Sequence, residues 1–82
     1  MSVFLGVHKL LPGMSIDEIS NSYNSYKKAA AESGVKPLGA VVSMEKGFAY
    51  CQTEAESEEQ VRQAHAKANV PLEDVIMVTP LV

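Results

Sequence analysis

Residues 38–53 read LGAVVSMEKGFAYCQT: two apolar runs, Leu38–Met44 and Gly47–Thr53, parted by the charged pair Glu45-Lys46. Runs of this length, rich in Val, Phe and Tyr, read as strands, and a short polar break between them reads as a hairpin. The break lacks the Asn-Gly pair of the tightest turns, so the turn type stays open. What flanks the hairpin decides the fold. Upstream, Ser15-Ile16-Asp17-Glu18 has the form of a capping box, the Ser15 hydroxyl accepting from the Glu18 amide while the Glu18 side chain reaches back. Ile16, Ile19, Tyr23, Tyr26 and Ala30 then recur at spacings of three and four, one stripe of an amphipathic helix. Lys27 and Lys28 suit the negative end of its dipole, and Gly34 supplies a left-handed stop. Downstream, Ser57-Glu58-Glu59-Gln60 repeats the capping pattern. Val61, Ala64, His65 and Ala68 share one face of a short second helix, which Asn69-Val70-Pro71 ends.

Further out, Val3–Lys9 (VFLGVHK) reads as a strand broken by Leu10-Leu11-Pro12-Gly13, and Val75–Thr79 (VIMVT) as a last strand closed by Pro80. The order strand, helix, strand, strand, helix, strand is the split βαβ plan of a ferredoxin-like α+β fold. It predicts a four-stranded antiparallel sheet with both helices on one face. Right-handed crossovers place the strands in the order four, one, three, two. With 82 residues and no internal linker, the chain reads as one domain over residues 1–82.

Composition narrows the function classes. The chain is 46% hydrophobic, enough for a thin core that a partner chain would reinforce. One cysteine excludes an internal disulfide framework, and no apolar run is long enough to span a bilayer. Asp and Glu number 10 against 7 Lys and Arg, a net charge of −3 that opposes nonspecific binding to nucleic acid or anionic lipid. The opening Met1-Ser2-Val3-Phe4-Leu5 lacks a basic leader, giving an expectation of a cytoplasmic protein.

The strands are apolar on both faces, so the face away from the helices reads as an interface. We assign Leu5, Val7, Ala49 and Cys51 to the helix side and Phe4, His8, Phe48 and Tyr50 to the open face; alternation alone leaves the inverse open. The expected consequence is a homodimer packed sheet to sheet, with Phe4, Phe48 and Tyr50 on the dimer or ligand face.

Three side chains suit a transition metal: His8, Cys51 and His65, whose imidazoles and thiolate match nickel, zinc or copper. None is paired at a local metal-binding spacing, and on the assignment above one chain does not bring all three together. The plainer reading makes Cys51 a small buried hydrophobe, His65 a half-buried helix residue and His8 a polar strand end. Lys46-Gly47-Phe48-Ala49-Tyr50 resembles the opening of the ribonucleoprotein octamer of RNA-recognition motifs, which would make Phe4, Phe48 and Tyr50 a base-stacking platform. Against it stand Thr53 at the final aromatic position and a platform whose only nearby cation is Lys46. Catalysis has less support. Leu11-Pro12-Gly13-Met14-Ser15 is no phosphate cradle, and a mid-strand Cys51 lacks the cation or helix N-terminus that activates a thiol. Glu54, Glu56, Glu58 and Glu59 read as dipole complement around a helix start.

Tyr50-Cys51-Gln52-Thr53-Glu54-Ala55, running into Ser57–His65 and through Ala68-Asn69-Val70-Pro71 to Asp74-Val75-Ile76, resembles a small bacterial nickel-binding ferredoxin-like family. Val7-His8-Lys9, Pro12-Gly13 and the capped helix are similar too. The resemblance implies the fold above, a dimer and a divalent-metal site, nickel in characterised relatives. His8, Cys51 and His65 match positions where that family carries His, Cys and His. Glu56 replaces a proline and Asn69 a glycine, while Lys9 and Gly39 stand where relatives can carry further histidines. The chain therefore reads as a binding protein rather than an enzyme, with nickel or another divalent transition metal as its expected ligand. The alternatives are a single-stranded RNA binder and a protein, binding or catalytic, with an apolar small-molecule pocket at the dimer sheet face.

Overall fold

The computed structural model describes residues 1–81. Its elements are β1 (Ser2–Lys9), α1 (Ile16–Ser33), β2 (Lys36–Ser43), β3 (Phe48–Ala55), α2 (Glu58–Lys67) and β4 (Asp74–Val78). They form one antiparallel sheet in the order β2-β3-β1-β4, so β1 and β3 are the central neighbours, as the crossover rule requires.

The helix ends follow the sequence signals with two changes. The first is that α1 has no basic residue in its last turn, Lys27 and Lys28 lying earlier in the helix. At Ser15 both halves of the capping box form, Glu18 N–H donating to Ser15 Oγ at 3.1 Å and Ser15 N–H to Glu18 Oε1 at 3.2 Å. Gly34 closes α1 in the left-handed region at φ 75°. Ser57 caps α2 by accepting from Gln60 N–H at 3.2 Å, but the reciprocal half expected there does not form. Gln60 Oε1 instead accepts from Glu56 N–H at 2.9 Å, and its amide reaches Ser33 O at 3.5 Å, joining the start of α2 to the end of α1. Asn69 takes a left-handed φ of 58° just past α2, and Val70 N–H closes onto His65 O at 2.9 Å. A short polar side chain tolerates that conformation, which explains asparagine where the resemblance has glycine.

Strand β2 begins before the expected Leu38 and carries a register shift between Pro37 and Gly39. The hairpin turn rests on Gly47, at φ 76°, whose N–H donates to Ser43 O at 2.8 Å. The left-handed residue is thus the glycine that opens the second apolar run, and no Asn-Gly pair is needed.

The faces of β1 correct the sequence assignment. Directly opposed residues of antiparallel strands share a face, and the register pairs Phe4 with Thr53, Gly6 with Cys51 and His8 with Ala49. Phe4, Gly6 and His8 therefore face the helices, and Leu5 and Val7 the open side. The β3 assignment holds: Ala49 and Cys51 point to the helices, Phe48 and Tyr50 away. Volume decides the inversion of β1. Phe4, only 2% exposed, supplies the large core side chain, while Gly6 leaves room for the Cys51 sulfur opposite. The core joins Phe4, Tyr26, Ala30, Cys51, Val61 and Val75 between sheet and helices. Two polar side chains, Thr53 and His65, are fully buried with them.

Candidate metal centre

The inversion of β1 brings His8 to the same layer as Cys51 and His65. The expectation that one chain could not gather the three is thereby overturned: one donor atom from each lies within 4.8 Å of the others. His8 comes from the end of β1, Cys51 from the middle of β3 and His65 from the last turn of α2. The cluster is thus built across three elements, which is why no local spacing announces it.

Each imidazole is fixed by a carbonyl. His8 Nδ1 lies 2.8 Å from Pro71 O, and His65 Nδ1 lies 2.8 Å from Val61 O, one helical turn earlier. A carbonyl only accepts, so Nδ1 carries the proton in both rings and both Nε2 atoms present lone pairs. Those two Nε2 atoms each lie 3.3 Å from Cys51 Sγ. A thiol has one proton, so it serves one nitrogen and leaves the other facing sulfur without a hydrogen. His65 is held further by Tyr26, whose ring stacks on it at 3.9 Å between centroids. Tyr26 is itself anchored through its hydroxyl, 2.7 Å from Thr53 Oγ1.

The electrostatics follow from burial. Desolvation lowers the pKa of His65 to about 4, with the neighbouring His8 a smaller push the same way and the Val61 carbonyl opposing. Desolvation also lowers the pKa of His8, against the Pro71 carbonyl. Burial pushes the Cys51 thiol up to about 11, while N–H groups of Gly6 and Cys51 itself pull it down. At neutral pH both imidazoles are thus neutral, the form that ligates, and the sulfur holds a proton that an incoming cation must displace.

The donor set fits a transition metal. Bonds of about 2.1 Å to nitrogen and 2.3 Å to sulfur put neighbouring ligand atoms about 3.1–3.6 Å apart between right-angled and tetrahedral geometries, and the two observed N···S separations are 3.3 Å. Carbonyl partners on the far nitrogens are the usual outer shell of metal-bound histidine. Gly6 is a residue the sequence reading missed: a Cβ there would lie 2.7 Å from Cys51 Sγ and 3.4 Å from His8 Nε2. The Val61 carbonyl was recoverable, since it stands four residues before His65 on a helix, whereas nothing local in the sequence points to Pro71.

A cleft of about 350 Å³ opens between α1 and the sheet, and His8, Cys51 and His65 line it together with Leu11, Ile16, Ile19, Tyr23 and Val42. It lies on the helix side of the sheet, whereas the alternative small-molecule reading placed its pocket at a dimer sheet face. Of the three aromatics assigned to the open face, Phe4 is in the core. Phe48 and Tyr50 do share that face, their rings stacked at 6.4 Å.

A ferredoxin-like sheet with two imidazole nitrogens and a sulfur converging beneath its helices defines a small α+β protein with a candidate transition-metal centre. The chain belongs to the family described as nickel responsive protein SCO4226-like, which it matches over residues 4–78. Among solved structures it resembles SCO4226 from Streptomyces coelicolor A3(2), with a TM-score of 0.88 and 21% identity, covering 99% of this chain and 100% of that one. At that identity the likeness shows the fold. No curated protein matches the chain.

Proposed function

We propose that this protein binds a divalent transition metal, nickel or one of its neighbours, through His8 Nε2, His65 Nε2 and the Cys51 thiolate, and that it works as a binding protein rather than an enzyme. The observation that carries the reading is the convergence of two carbonyl-fixed imidazole lone pairs on one sulfur. A buried histidine kept only for packing has no need to aim a bare nitrogen at a thiol that another histidine already faces. The family's description as nickel responsive supports the same metal. A free thiol at the centre suits a reducing compartment, and we place the protein in the cytoplasm; no helix among the described residues is long and apolar enough to cross a membrane. The test is spectroscopic. Nickel added to the metal-free protein gives a near-ultraviolet sulfur-to-nickel charge-transfer band that Cys51→Ser abolishes and His8→Ala weakens. A nickel complex without that band, or one unchanged in Cys51→Ser, contradicts the assignment.

The homodimer belongs to the same proposal. Leu5, Val7, Val41, Phe48, Tyr50 and Ile76 share the sheet face that no helix covers, with Val41 69% exposed. An apolar face of this kind in so small a chain supports sheet-to-sheet pairing of two copies.

A further inference from the structure

The three donors leave a four-coordinate ion one ligand short. Among the described residues no Asp or Glu lines the cleft, and His8, Cys51 and His65 are its only His and Cys. Lys9 borders it from a strand position whose side chain faces the open side of the sheet, opposite Phe48. Structural sites close their coordination with protein side chains, whereas sites with three protein ligands keep a position for something from solution. Here that position would face a cleft of about 350 Å³ walled by Leu11, Ile16, Ile19, Tyr23 and Val42, within the size range of small-molecule sites. Two neutral imidazoles, one thiolate and a divalent cation sum to a net charge of +1, and the wall offers no carboxylate to balance it.

We propose that the cleft admits a small organic anion, an apolar body ending in one carboxylate or thiolate head that takes the open coordination position. This rests on the metal reading above. The head is selected by the uncompensated charge and by the absence of a carboxylate, a third imidazole or a second thiol along the cleft. The body is selected by the aliphatic and aromatic wall. A small hydrophilic donor such as acetate would occupy the position without using the cleft.

The experiment compares hexanoate with acetate on nickel-loaded protein, reading the nickel d–d spectrum, the melting temperature and the nickel retained after gel filtration. Hexanoate is expected to bind at least tenfold more tightly than acetate, to shift the d–d bands and to raise the melting temperature, with nickel retained. Ile19→Trp, which fills the cleft, is expected to erase the preference. Leu11→Glu, at a residue 71% exposed, places an opposing charge in the wall without touching the core and should weaken hexanoate at least threefold. Equal affinities, an unmoved spectrum, or the same hexanoate binding in metal-free protein overturns the inference while leaving the metal site standing. A protein that loads no metal overturns both.

Discussion

Gly6 is absent from any list of metal donors, yet the centre depends on it. The Cβ of an alanine would sit 2.7 Å from the Cys51 sulfur, which must shift, and 3.2 Å from Leu72 Cδ2, which must give by a few tenths of an ångström. Gly6→Ala is therefore expected to push Sγ out of line, costing about 1–3 kcal/mol of stability by overpacking. Calorimetry of this variant should show nickel affinity at least tenfold lower; wild-type affinity would mean that the sulfur position is not critical. His65 makes the second prediction at this scale. Its pKa is about 4 in the folded protein against an ordinary 6.5, so the unfolded chain binds the proton more readily. The contribution of neutral, buried His65 is intact above pH 6.5. It falls by about 3 kcal/mol as the pH drops from 6.5 toward 4. Urea unfolding across that window should show the decline in the metal-free protein and a much smaller one in His65→Gln. The three donors were legible as residue types, and their matching to family positions pointed the same way. Their convergence was not legible, because it turns on whether Phe4 or Leu5 points inward, and period-two alternation fits both when each face is apolar.

At the scale of elements, the signals that worked were local and directional. The Ser15–Glu18 box and the Gly34 stop bound an 18-residue helix to within a residue of expectation, because each satisfies backbone groups that no other partner can reach. Ser57 capped α2 as expected, but Gln60 turned to Glu56 and Ser33, a choice made by the docked end of α1 and hence invisible along the chain. Ser15→Ala should cost about 1 kcal/mol and lower the melting temperature by roughly 4–8 °C in a domain this small; an unchanged melting temperature would show that α1 is held by packing alone. The C-terminal end of α2 bears directly on the site, since Pro71 O orients His8 and Asn69 sets the path to it. Asn69→Gly keeps the left-handed turn and should leave nickel affinity within threefold. Asn69→Val strains the turn, displaces Pro71 and should weaken binding at least tenfold in the same calorimetric titration.

For the whole molecule, the order of six elements fixed the sheet topology, because crossover handedness leaves few alternatives. The two faces of the sheet then divide the work. The helix side encloses the donors and the cleft, and the open side carries the exposed apolar residues on which the proposed homodimer rests. Val41→Glu on that open face should shift sedimentation from dimer toward monomer without changing the nickel stoichiometry per chain, and loss of both together would place metal at the interface instead. The most direct test of the central claim is calorimetric titration of chelator-stripped protein with nickel, run in two buffers of different ionisation enthalpy. The account predicts one ion per chain at micromolar affinity or tighter, with about one proton released as the Cys51 thiol becomes a thiolate, and binding abolished in a variant lacking His8, Cys51 and His65 together. Absence of binding heat in both buffers, or nickel bound as tightly by that triple variant as by the native chain, would contradict it.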